Sequence, residues 1–349
     1  MGEELATVDV GNPTEARIGM HRDGTLIIDA LSGHVVSPEP PPIDGVPYLD
    51  RLQGAGVNVI NVTLAAHSDD FDTILRMMYD YINLFGAIPE RTLQVESVAD
   101  IETAHREGKL GIIFGSQTGT MVGRDISRWT ILHRLGLRIS QLTYNERNDL
   151  GDGCMEPENR GLTSLGRQAV QEMNRLGIVV DLSHVGERTA LDATEYSTKP
   201  VIYSHSNAKT LTPSRRNITD EQMKAAAGSG GVVALSSYSM MTYKEAGVRP
   251  TLDDYLDHID YAIDLIGLDH VGIGSDIFES YTELSWTSST KRMYPMPYDY
   301  HTKVAEGFTY VSEFPNVIGG LIRRGYDDAA LRKILGGNLL RVFDQVWQG

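Results

Sequence analysis

Apolar, β-branched runs alternate along this chain with stretches whose apolar positions recur at helical spacing. Eight runs read as strands: TLIIDA (25–30), VNVINVTL (57–64), LGIIFGS (110–116), LRISQLTYN (137–145), IVVDLSH (178–184), VIYSHS (201–206), GVVALSS (231–237) and HVGIGSD (270–276). They are apolar throughout rather than alternating, as expected of parallel strands buried on both faces. Between them, 69–86 opens on acids and stops at Gly86, 163–177 opens at Thr163 and closes at Gly177, and 252–267 stops at Gly267. These are ordinary helix start and stop signals. Eight β units with helices between them predict an α/β chain folded as a (β/α)8 TIM barrel. A doubly wound open sheet is the alternative, but no glycine-rich phosphate loop follows the first strand. With no repeat, low-complexity tract or linker, residues 1–349 read as a single domain. Residues 1–24 read as an N-terminal extension and 278–303 as a long loop after strand eight.

A barrel carries its chemistry at the C-terminal ends of its strands. Those ends read Asp29, His67, Gln117, Tyr144, His184, His205, Ser236 and Asp276. The strands ending at His184 and His205 both finish on Ser-His, and neighbouring strands would set the two imidazoles side by side. A matched pair of neutral imidazoles suits a divalent cation such as zinc; a lone histidine would read better as a core residue. Asp276 is placed to ligate metal or to take a proton from an activated water. Arg216, in SRRNITDE, could grip a substrate carboxylate with its planar fork, although a surface ion pair explains the spacing equally well. The same segment reads as a helix cap at Thr219 or Asn217. Tyr144 could donate a hydrogen bond to a developing oxyanion. Asn145 begins a polar loop suited both to turns and to substrate contact. His270 lies at the opposite end of its strand and reads as structural. The aromatic stretch 280–301 could form a pocket wall or lid.

Charge narrows the partners. The net charge is −16, from 47 acids and 31 bases, and the basic residues are scattered. Nucleic acid and anionic membrane are therefore excluded as expected partners, since both need clustered Lys and Arg. Cys154 is the only cysteine, so no internal disulfide forms. No stretch approaches a membrane span, and the N-terminus lacks the basic start and apolar core of a signal peptide. The expectation is a cytoplasmic protein acting on a carboxylate-bearing small molecule, with a homodimer compatible.

Several pieces from about residue 137 onward, in order and at matching spacing, resemble the membrane (renal) dipeptidase family of the amidohydrolase superfamily. They are LTYNERNDLGDG, GLTSLGRQAVQEMNRLGIVVDLSH, PVIYSHSNA, RRNITDE, DHVGIGSD and the C-terminal FPNVIGGLIRRGYDDAALRKILGGNLLRVF. The resemblance implies a (β/α)8 barrel that hydrolyses dipeptides with a hydroxide bridging two zinc ions. It places His184 and His205 as ligands of one zinc, Asp276 as the late-strand aspartate and Arg216 as the substrate-carboxylate arginine.

The chain also departs from that pattern. The first strand of the family ends Asp-Gly-His-Asn-Asp; here the place reads DALSG (29–33), so Leu31 and Gly33 stand where two ligands would be. Gln117 replaces the bridging glutamate, and Tyr144 replaces a substrate-binding histidine. Asp29, His34 and His67 are candidate substitute ligands, and Gln117 and Asn145 candidate substrate contacts. The reading is a dipeptidase-like metallohydrolase with one zinc or none. The alternatives are a metal-independent lyase, decarboxylase or isomerase on the same barrel, and a non-catalytic homologue.

Overall fold

The computed structural model describes residues 13–36, 40–287 and 297–347. Residues 1–12 of the N-terminal extension and 288–296 of the long loop lie outside that set.

Among the described residues, nine parallel strands form one sheet: β1 (Ile28–Ser32), β2 (Val59–Thr63), β3 (Thr92–Val95), β4 (Leu110–Ser116), β5 (Leu137–Gln141), β6 (Val179–Asp181), β7 (Ile202–Tyr203), β8 (Val232–Leu235) and β9 (Val271–Ile273). Eight of them follow one another around a nearly closed barrel in the order β1-β2-β4-β5-β6-β7-β8-β9. These are the eight runs read from the sequence. The ninth, β3, was not expected there. It pairs with the lower half of β4 (Thr92↔Leu110 to Val95↔Ile113), while β5 takes the upper half of the same edge (Ser116↔Ser140). Its four residues, TLQV, are too short and too polar to announce a buried strand. Hydrogen bonds between the chain after β9 and the end of β1 draw the mouth together: Asp276 N–H to Leu31 O at 3.0 Å and Gly33 N–H to Ile277 O at 3.1 Å.

The strands are apolar because both faces are covered. Alternate residues (Ile28, Val59, Ile113, Ile139, Val179, Ile202 and Val232) form one buried cluster with Leu339, Val342, Phe343 and Val346 of the C-terminal helix Asn338–Trp347. Two residues further along each strand, side chains return to the same face. There four strands turn polar, with Asn61, Gln141, Asp181 and Ser204 buried, while Ala30 and Ala234 stay in the apolar cluster. The backbone is tightly packed at this level: a Cβ on Gly274 would fall 1.7 Å from the Ser204 carbonyl oxygen. A polar floor is thus laid just under the barrel mouth.

Helices form where the caps predict them. Asp70 caps Phe71–Ala87, Thr163 caps Ser164–Leu176 ahead of a left-handed Gly177, and Thr251 caps Leu252–Ile266. Thr219, with Gln222, closes a capping box on Asp220–Gly228. The described part of the N-terminal extension, Pro13–Gly24, is a helix tied to the barrel by an Arg17–Asp328 ion pair at 2.6 Å. His270 Nδ1 sits 2.8 Å from the Gly231 carbonyl at the foot of β9, a structural contact. Among the described residues, no helix is long and apolar enough to cross a membrane.

Candidate active site

Among the described residues, four non-glycines have left-handed backbone: Asp44, His67 (φ 52°), His184 (φ 64°) and Asp276 (φ 59°). Three of the four follow barrel strands. Left-handed backbone costs a non-glycine residue ~1–3 kcal/mol, and such strain concentrates where a side chain must be aimed. All three line one cavity of about 260 Å³ at the mouth, together with His34, Gln117, Tyr144 and Arg216. The strand readings that ran on to Tyr144, His184 and Asp276 therefore overshoot, because the chain leaves the sheet a few residues earlier and turns inward. A second cavity, of about 650 Å³, meets the first at His67 and Tyr144, and the polar loop 145–150 forms its wall.

His184 and His205 lie together, ring centroids 4.9 Å apart. His184 Nδ1 is 2.7 Å from Asn145 Oδ1, so Asn145 supports a histidine as well as lining the second cavity. His205 Nδ1 is 2.7 Å from Ser204 Oγ. Burial pushes both imidazoles well below their usual pKa, and the Arg216 charge pushes the same way, so both are neutral. His205 Nε2 is buried and has no hydrogen-bond partner. Neutral rings held at Nδ1, one with an orphaned Nε2, fit half of a cation site.

The other half does not fit. Gly33 is locked to the β9 loop, and a Cβ on it would meet Ile277 O at 2.9 Å and Phe278 Cα at 3.2 Å. Leu31 is buried apolar surface. Gln117 spends its amide on Thr63 Oγ1 at 2.7 Å. Asp29 does not reach the cavity: Ser275 donates its backbone N–H at 2.7 Å and its hydroxyl at 2.6 Å to the two carboxylate oxygens. Burial nonetheless lifts the Asp29 pKa to about 7. His34 lines the cavity edge-on to Phe278, and burial lowers its pKa to about 4. Among the described residues, no three His, Cys, Asp or Glu side chains are grouped to hold one ion. The structure therefore gathers His34, His67 and Asp276 into the cavity without assembling them with the histidine pair as a ligand set.

Arg216 is 4% exposed and has no carboxylate within ion-pair reach among the described residues. A buried guanidinium with no ion-paired carboxylate is suited to holding an anion. Asp276 shares its cavity; burial raises this carboxyl to about 7 against the opposing pull of Arg216. Tyr144 packs against His67, centroids 4.1 Å apart and tilted, and stacks on His184, 3.9 Å and nearly parallel. Burial also lowers the His67 pKa. Phe278, Tyr281 and Tyr238 add an aromatic wall, so the described start of the long loop does face the pocket. Sequence reasoning missed Asp181, Gln141 and Ser204, which stand behind the histidines. A charged residue inside the apolar run IVVDLSH was the visible signal.

The model of the membrane dipeptidase family, peptidase family M19, matches residues 50–290 and 295–348. The chain belongs to the membrane dipeptidase family. Dipeptidase tcpJ of Claviceps purpurea is 31% identical over 278 residues, covering 78% of this chain and 60% of its own length. Dipeptidase aclJ of Aspergillus oryzae is 32% identical over 274 residues, covering 77% and 59%. The match thus spans about three fifths of these curated relatives. A solved amidohydrolase from Pseudomonas aeruginosa superposes with a TM-score of 0.85 at 30% identity, covering 95% of this chain and 99% of that one. On this membrane dipeptidase family barrel, His184, Arg216 and Asp276 line one cavity at the mouth and His205 stands beside His184.

Proposed function

We propose that this chain is a dipeptidase-type hydrolase acting on a small amide that bears a carboxylate, with a depleted metal site of one zinc at most. The observation that carries the reading is the meeting of Arg216, Asp276 and His184 in one cavity on a membrane dipeptidase barrel. Arg216 holds the substrate carboxylate and fixes the scissile amide against the mouth. Asp276 accepts the proton of the attacking water and returns it to the leaving amine, a role suited to a pKa near neutrality. Tyr144, braced between two rings, donates to the oxygen of the amide as negative charge develops on it. His184 and His205 would hold the cation, which when bound supplies the Lewis acidity that brings the pKa of water towards ~7. The aromatic wall restricts water around the reacting amide. Turnover of a dipeptide panel, lost on chelation and restored by zinc, is the expected result; full activity of a metal-free preparation overturns the metal part of the reading.

A second reading is favoured by the lack of a third ligand among the described residues and by the His67–Tyr144–His184 ring contacts: a metal-independent lyase, decarboxylase or isomerase, with these rings as acid, base and oxyanion donor. It predicts activity on a carboxylate substrate that is indifferent to chelation.

A further inference from the structure

The repeated Ser-His ending has a physical account one layer below the cavity. Asp181 is fully buried, and four donors converge on it. The backbone N–H groups of Ser183 and Ser204 reach Oδ1, each at 3.0 Å. The Gln141 amide reaches Oδ2 at 2.9 Å, and the Ser204 hydroxyl reaches it at 2.5 Å. Burial raises the Asp181 pKa and the four donors oppose that rise; a carboxyl whose two oxygens both face donors only accepts, so the Ser204 proton is committed to it. The oxygen that Ser204 turns to His205 Nδ1, 2.7 Å away, therefore offers only lone pairs. Nδ1 must carry the ring proton. Ser183 completes the frame, its Oγ accepting the His205 backbone N–H at 3.1 Å. The remaining nitrogen, Nε2, is the buried atom without a partner.

We propose that Asp181 and Ser204 are positioning residues that fix His205 as its Nδ1–H tautomer and keep Nε2 bare beside His184. The opposite tautomer would place a proton on Nε2, and that nitrogen could then neither bind a cation nor accept a proton. The use made of the bare nitrogen rests on the proposed hydrolase function; the tautomer itself does not.

Asp181→Asn separates these possibilities. Its oxygen keeps the two backbone donors, while the other atom changes from acceptor to donor. Gln141 Oε1, buried and unpartnered, can accept one of the new amide protons once the Gln141 amide turns over. Ser204 then accepts the other and redirects its own proton to Nδ1. The experiment is ¹⁵N-histidine NMR on the metal-free full chain without substrate, with the His205 signals identified by their loss in His205→Gln. The expected wild-type state is Nδ1 protonated and Nε2 bare, reversed in Asp181→Asn and mixed in Ser204→Ala. Titration with zinc alone is expected to show ~10–100-fold weaker binding in Asp181→Asn. A wild-type Nε2–H tautomer, an unchanged tautomer in Asp181→Asn or unchanged zinc affinity overturns the proposal. If Asp181→Asn does not fold, a single unchanged tautomer in Ser204→Ala overturns it. Failure of the wild type to cleave any dipeptide counts against the function and leaves the NMR result standing.

Discussion

Tyr144 lies over His184 with ring centroids 3.9 Å apart and planes 22° apart, and the His67 ring also packs against the tyrosine, tilted, at 4.1 Å. The hydroxyl and the ring make separate contributions. Tyr144→Phe keeps the stack and is expected to lower kcat by ~10²–10³ if the hydroxyl meets the oxyanion. Tyr144→Ala also loses the two ring contacts, at ~0.5–1.5 kcal/mol each. Steady-state kinetics and urea unfolding on both variants separate the two; equal kcat in wild type and Tyr144→Phe removes Tyr144 from the chemistry.

Arg216 predicts dependence on a free carboxylate. Its charge-assisted hydrogen bonds are worth ~1.5–3 kcal/mol, so Arg216→Gln should raise KM for a dipeptide by roughly 10- to 150-fold. The same change should leave KM for the C-terminally amidated dipeptide nearly unaltered. An equal rise for both substrates would show that the guanidinium does something else.

Asp276 predicts a pH dependence with a definite sign. Its folded pKa is raised to about 7 from an ordinary 3.8, so it is protonated and inactive as a base below neutrality. The log of kcat/KM should rise through pH 7, and that limb should vanish in Asp276→Asn. Stability runs the other way. A raised carboxyl pKa contributes fully below 3.8, and the contribution is lost as pH climbs through about 7. Asp29, also near 7, adds to the trend. Urea unfolding at pH 5 and pH 8 should therefore show Asp276→Asn gaining on wild type at the higher pH.

Gly33 predicts that a carboxylate placed at this position does not build a second metal site. Gly33→Asp drives a Cβ against the Ile277 carbonyl, an overpacking cost of ~1–3 kcal/mol. A lower Tm with zinc content still at or below one per chain is expected. Two zinc ions per chain in this variant would contradict the reading of the mouth.

The fold was legible because the barrel strands are buried on both faces and read as mostly apolar runs, a pattern that survives in the sequence without any knowledge of pairing. β3 was not, since its pairing covers only half an edge and its residues alternate. Arg216, His184, His205 and Asp276 were legible from their places after strands. The long-range contacts behind the site were not: Asn145 reaches His184 across 39 positions, and Ser275 meets the buried Asp29 beneath the mouth across 246. Such contacts come from closing the cylinder and leave no local periodicity. The exception is Asp181, whose charge stands out in an apolar run.

The left-handed turns at His67, His184 and Asp276 bear on whether this barrel is a relic. Glycine or asparagine would relax the backbone at each, so a scaffold with no reaction to perform would gain by shedding two imidazoles and a carboxyl there. The chain tolerates the torsional burden three times around one opening. That is the mark of a barrel still held to a chemical task.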